Sequence, residues 1–247
     1  MNVTPFVFPV LAVLYILSWL MHWARRQTAA KAILAAGALL NALLLLDHAV
    51  VSGVLIGNSL LDPPFFIPLA MAVTLLAGGL PDPPGRSAAA AFLLLAAAAV
   101  FAAIYPKGII PPAANKTGTW PFLFFFFENF AYALFAVSGA LAAGARWEPS
   151  TVRRVRRLVI LGFISFSIAQ VVGAAWSFLG WGHPFMWGSR HLTSAAVWLF
   201  YAALVHLRFL RSFAIPERWL TAAGALLAVI VVYSHLVLEM GIQRIGG

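Results

Sequence analysis

Apolar residues in this chain neither alternate nor fall in narrow stripes; they run in eight long blocks separated by short polar punctuation. A continuous apolar run of roughly 20 residues is the length of a bilayer-crossing helix. A helix is also the form in which such a run satisfies its own backbone hydrogen bonds inside lipid. The first block extends from about Phe6 to Trp23 and ends at Arg25, Arg26 and Lys31, and the second from about Ala32 to Leu55. The third, near Phe65 to Leu80, stops at the turn Pro81-Asp82-Pro83-Pro84-Gly85-Arg86. The fourth, Ala88 to Tyr105, leads into a polar, proline-containing loop over 106–119. The fifth opens with Trp120-Pro121 and the run Phe122 to Phe127 and closes near Gly144. After Arg146 and the cluster Arg153, Arg154, Arg156 and Arg157 comes the sixth, Leu158 to about Leu179. A Trp/Gly-rich loop, Gly180 to His191, precedes the seventh, Leu192 to Leu210, and the eighth spans Trp219 to about Met240. The pattern predicts an all-α, polytopic transmembrane helical bundle of about eight spans, forming one integral membrane domain over 1–247.

Composition agrees with the pattern. The chain is 63% hydrophobic and 9% charged, whereas soluble domains are about half apolar and about a quarter charged. Cysteine is absent, which excludes disulfides, thiolate metal sites and cysteine nucleophiles. The net charge of +9 would suggest nucleic acid in a soluble protein; here its placement beside the spans points to the lipid bilayer and to no nucleic-acid partner. Twelve of the sixteen Lys and Arg residues fall in one set of connections, and Lys107, Lys116, Arg190 and Arg244 in the other. The richer side is cytoplasmic by the positive-inside rule. The expectation is a multi-pass protein of the inner (cytoplasmic) membrane with both termini outside. The N-terminus lacks a basic stretch and a small-residue cleavage site, so the first block is read as a helix.

Two histidines lie well inside predicted spans, His48 and His235. Ionisable groups in hydrocarbon are costly and mark function by default. A local repeat links them. Helix 2 carries Ala35-Ala36-Gly37-Ala38-Leu39-Leu40 and helix 8 carries Ala222-Ala223-Gly224-Ala225-Leu226-Leu227, with each histidine thirteen residues after the first alanine. At about 1.5 Å rise per residue both sit at one depth in the outer leaflet, as a six-coordinate b-type haem requires of its ligands. The competing reading is that each histidine hydrogen-bonds a neighbouring helix and that the Ala/Leu likeness is coincidence.

A second pair, His22 and His206, lies at the cytoplasmic ends of inward-running helices, each just before arginines. It would hold a second haem, or else sit beside lipid phosphates. Asp47, Glu128 and Glu239 fall in the outer parts of helices 2, 5 and 8, where a carboxylate can relay protons, orient a ligating histidine or bind a quinone head group. Arg190 and Arg244 are placed to pair with haem propionates.

The segment from Trp176 through Trp181-Gly182, Phe185, Trp187-Gly188 and Arg190-His191 packs aromatic residues more closely than an interfacial belt needs. It resembles the tryptophan-rich WWD loop (WGxxWxWD) of the haem-handling cytochrome c assembly family. Trp198-Leu-Phe-Tyr201-Ala-Ala-Leu-Val-His206-Leu-Arg208 is similar to the helix after that loop, and Phe130-Ala131-Tyr132-Ala133-Leu134-Phe135 to another family helix. The resemblance covers roughly 120–245. It implies Trp181 and Trp187 as a haem platform and His206 as a transmembrane haem ligand. The middle Trp of the motif is Phe185 and its Asp is Gly188. The family's two outer-face histidines align with Phe124, beside Glu128, and with Gln243. These departures weigh against delivery of haem to an apocytochrome; His183 and His191 are the loop histidines that would have to compensate.

Two functions follow. One is a haem-handling membrane protein of the cytochrome c assembly type that holds haem b without modifying it. The other is a b-type cytochrome anchor subunit, working with extracytoplasmic redox subunits and the quinone pool. Neither is expected to be an enzyme alone.

Overall fold

The computed structural model describes residues 4–52, 63–78, 86–104, 118–144, 148–207 and 216–245. All regular structure among them is helical: α1 (Thr4–Trp23), α2 (Gln27–Ser52), α3 (Pro63–Ala77), α4 (Arg86–Ile104), α5 (Thr119–Gly144), α6 (Pro149–Trp181), α7 (Ser189–His206) and α8 (Glu217–Ile245). Each corresponds to one predicted block. Four segments are long and apolar enough to cross a membrane, Gln27–Asp47, Thr119–Gly144, Pro149–Trp181 and Glu217–Ser234; Val7–Trp23, Pro63–Ala77 and Ala88–Ile104 are apolar but shorter. The chain is a multi-pass membrane protein.

Helix ends follow local chemistry. α1 stops in a Schellman turn, with Arg25 N–H donating to His22 O at 3.0 Å, Arg26 N–H to Met21 O at 2.9 Å, and Arg25 held at φ 60°. α6 starts with Pro149 in its first turn and ends where Gly182, at φ 77°, donates its N–H to Phe178 O. Prolines inside α1 (Pro9) and α3 (Pro68) are compatible with membrane helices, whose freed carbonyls find other partners.

α6 departs from the sequence expectation. It begins ahead of the arginine cluster, so Arg153, Arg154, Arg156 and Arg157 ride on the helix itself. Val155, Leu158 and Val159 bury one side of this first stretch while Arg153, Arg156 and Arg157 stay exposed. A charged helical turn with one apolar stripe is amphipathic, and a hydropathy average hides it.

α5 is the hub, packing against α3, α4, α6 and α8. The stretch from Ala131 to Gly139 is buried on every side. α1 packs on α2 and α4, and α7 on α6 and α8. Small residues set the closest approaches: a Cβ on Gly139 would lie 2.0 Å from Ala225 Cβ in α8. Phe135 of α5 stacks on Tyr201 of α7, with centroids 3.5 Å apart and planes within 8°.

Candidate functional site: an aromatic wall at the Trp-rich loop

The Phe122–Phe127 run occupies the first turns of α5, opposite the last turns of α6. Gly173 of α6 admits Phe124, because a Cβ there would meet the ring at 2.8 Å. Phe124 and Phe125 then lie 5.8 and 5.9 Å from Trp176, and Trp176 lies 5.6 Å from Trp181. These four rings make a continuous wall of tilted and edge-on contacts, the arrangement aromatic quadrupoles prefer.

Beyond α6 the chain turns at Gly182, and Ser177 Oγ donates to His183 O at 2.7 Å, tying the loop back onto the helix. Trp187 is 84% exposed, and Trp181, Phe185 and Met186 are exposed as well. Phe185 meets both Trp187 and His191 edge-on at 5.4 Å. His183 is exposed and His191 half-buried.

α7 starts immediately afterwards and carries Arg190 in its first turn. The guanidinium carbon sits 5.6 Å from the Phe124 centroid and 5.4 Å from that of Phe125, within cation–π range. Arg190 Nη2 donates to Glu128 Oε2 at 3.1 Å. Glu128 is buried, while the arginine side chain is 43% exposed. A carboxylate taken out of water needs a cation, and this arginine supplies it. Arg190, expected to meet a propionate, is thus engaged within the chain, with part of its guanidinium still accessible. The wall and its cation form a surface suited to a flat apolar ligand with an anionic edge.

The predicted histidines are not gathered at this wall. His22 of α1 is buried and stacks on Phe92 of α4, with its Nδ1 3.0 Å from Gln27 Oε1. His206, exposed in the last turn of α7, has its Nδ1 2.7 Å from Ala202 O. A carbonyl oxygen only accepts, so in both rings Nδ1 carries the hydrogen and the neutral imidazole keeps its lone pair on Nε2. That is the tautomer a haem-ligating histidine presents, its other nitrogen anchored by a backbone or side-chain oxygen. The two rings thus fit ligation chemically, but they stand on helices with different neighbours, α1 beside α2 and α4, α7 beside α6 and α8. His48 and His235 fall within α2 and α8, but their side chains lie outside the described residues, as do those of Arg244, Glu239 and Gln243. Asp47 is exposed on α2. Among the described residues no group of three or more His, Cys, Asp or Glu is gathered to hold a metal ion.

Sequence reasoning missed Trp176, Phe125 and Gly173 as parts of the wall. The signal lay in the phenylalanine run directly preceding Glu128, an acidic residue at the edge of an apolar block.

No family model matches the chain. Part of it is similar to cytochrome c biogenesis protein CcsA. The identity is 31% over 77 residues in Prochlorococcus marinus (strain MIT 9312), covering 31% of this chain and 25% of that protein. It is 31% over 90 residues in Thermosynechococcus vestitus (strain NIES-2133 / IAM M-273 / BP-1), covering 36% of this chain and 26% of that protein. The matched segment is therefore about a quarter of the relatives' own length. Among solved structures, cytochrome c heme lyase CcmF superposes with a TM-score of 0.61 at 18% identity, over 92% of this chain and 45% of that one. The likeness in fold runs nearly the whole chain, and the likeness in sequence is confined to a segment. The chain is a membrane protein related to the cytochrome c assembly proteins, as its Trp-rich loop and following helix suggest.

Proposed function

We propose that this protein handles haem in the cytoplasmic membrane, holding haem b through transmembrane histidines and presenting an aromatic face at the Trp-rich loop. The observation that carries this reading is the wall of Phe124, Phe125, Trp176 and Trp181 with Arg190 beside it, in a chain related to CcsA. Bound haem would supply the redox chemistry. The protein's part is to ligate, orient and shield it. Trp181, Trp187 and the wall would lie against the macrocycle, and Arg190 and Arg244 would meet its carboxylates. The ligand set is His206, as the family likeness implies, or His48 with His235, as their matched register implies, with His22 available for a second haem.

In this reading the bundle is one domain of eight spans with both termini outside, and it works beside extracytoplasmic redox subunits. The absence of cysteine makes the topology directly measurable, because single cysteines introduced at the termini and at Arg154 have no background. Labelling of the termini from outside and of position 154 from inside is expected; the reverse pattern rejects the orientation.

The haem reading is tested by purification in mild detergent followed by pyridine-haem analysis. Haem co-purifying with the protein is expected, and protein that neither retains nor takes up haem sinks the proposal. Spectra of His206→Ala against His48→Ala and His235→Ala identify the ligands. The second reading, a b-type cytochrome anchor exchanging electrons with the quinone pool, is favoured by the matched register of His48 and His235. It requires that quinol reduce a haem held by that pair.

A further inference from the structure

A cavity of about 190 Å³ lies between α3, α4, α5 and α8, remote from the Trp-rich loop. Its walls are apolar, with Met71, Phe101, Val229 and Val232 among them, and the space exists because Ala98 and Ala136 stand where larger side chains would fill it. Tyr233 of α8 also lines it, edge-on to Phe101 with centroids 4.8 Å apart. The Tyr233 ring is half-buried, but its hydroxyl is fully buried and has no hydrogen-bond partner. A phenol hydroxyl removed from water and left unsatisfied is costly, and Phe would pack the same space without that cost. The hydroxyl is therefore the feature of the cavity that calls for an occupant.

Size and chemistry narrow that occupant. An apolar void of about 150 Å³ accommodates benzene and stays dry, so 190 Å³ takes one six-membered ring with small substituents. Apolar walls exclude an anion or a cation. A plain hydrocarbon chain would leave the Tyr233 hydroxyl unpaired. A neutral ring bearing a carbonyl oxygen satisfies both the walls and the donor. We propose that the cavity binds a lipid-soluble, single-ring carbonyl compound of the benzoquinone class, with the Tyr233 hydroxyl donating to its carbonyl oxygen. The site is separate from haem ligation. Position 235 is two residues further along α8, about 200° around the helix, and so belongs to a different face.

The test uses the full chain in nanodiscs of saturated phosphatidylcholine. The probes are a short-tailed benzoquinone, titrated calorimetrically, and its azido derivative for photolabelling. Saturable binding and labels on α4 or α8 around Phe101 and Tyr233 are expected. Tyr233→Phe keeps the shape and removes one hydrogen bond, so affinity should fall about three- to ten-fold. Ala98→Leu should abolish binding without lowering the melting temperature. Labels elsewhere, or affinity indifferent to Tyr233→Phe, overturn the proposal. Binding lost only in Ala98→Leu would identify a hydrocarbon pocket filled by lipid acyl chains, and likewise overturns it. Because Tyr233→Phe is isosteric, it decides the matter even if Ala98→Leu does not fold. A protein that binds the quinone but no haem would refute the proposed function while leaving this site standing.

Discussion

Arg190 at the start of α7 reaches Glu128 of α5 across 62 positions of sequence, its Nη2 3.1 Å from a carboxylate oxygen that is almost wholly buried. The pair joins the helix after the Trp-rich loop to the helix before α6, and the same guanidinium covers Phe124 and Phe125. One arginine therefore fixes the wall's shape and neutralises the only carboxylate described beside it.

Removing that arginine should be felt in stability. Breaking a fully buried pair by deleting one partner costs about 3–5 kcal/mol, but the Arg190 side chain is 43% exposed, so solvent screening brings the expected loss for Arg190→Gln nearer to about 1–2 kcal/mol. Thermal unfolding in detergent should show it. The double variant Arg190→Gln/Glu128→Gln should recover most of the loss, since no charge is then left unpaired; a double variant no better than the single would show that the charge pair is not what holds the wall.

Two glycines should respond in opposite ways. At Gly139 an added Cβ would lie 2.0 Å from Ala225 Cβ, so Gly139→Ala must push α5 and α8 apart, at about 1–3 kcal/mol. Around Gly180 nothing lies within 4 Å of the added atom, and Gly180→Ala should be neutral or slightly stabilising, since alanine favours helix. Melting temperatures of the two variants make the comparison.

Tyr201 separates ring from hydroxyl. Its ring stacks on Phe135 at 3.5 Å while its buried hydroxyl has no partner. Tyr201→Phe is expected to leave stability unchanged or raise it. Tyr201→Ala, which empties the stack, should cost about 3–5 kcal/mol. A large loss in the Phe variant would mean that the hydroxyl has a structural task.

Backbone handedness gives a further contrast. Arg25 is held at φ 60° and Gly182 at φ 77°. A side chain in that region costs about 1–2 kcal/mol, so Arg25→Gly should stabilise the turn after α1 and Gly182→Ala should destabilise the turn into the loop by similar amounts. For Gly182→Ala, faster proteolysis between 182 and 188 is the accompanying sign.

The eight helices were legible because a membrane helix advertises itself by continuous apolarity, which needs no knowledge of its neighbours. α6 was misplaced at its start for the same reason: Val155, Leu158 and Val159 pack along one stripe, yet four arginines interrupt the run. The wall was half legible. Trp181 and Trp187 stand out in a motif, whereas Gly173 matters only because Phe124 arrives from another helix, and the Arg190–Glu128 pair spans a distance that no local spacing encodes. The likeness to the assembly family pointed to the loop and to His206. It could not show that His206 would anchor its Nδ1 on Ala202, which is a matter of rotamer.

The all-round burial of α5 has a bearing on how the bundle is made. About two-thirds of its most apolar window is covered by other helices, against about one-third for α6. A span with so little surface for lipid gains little from entering the bilayer alone. α3 and α4 are synthesised before it and α6 and α8 after it, so the first two form a socket and the later two close over it. Synthesis order, insertion and packing are then one coupled event centred on α5. A lesion at Gly139 or Phe135 should accordingly appear first as chain lost during biogenesis, and only afterwards as altered chemistry in the protein that survives.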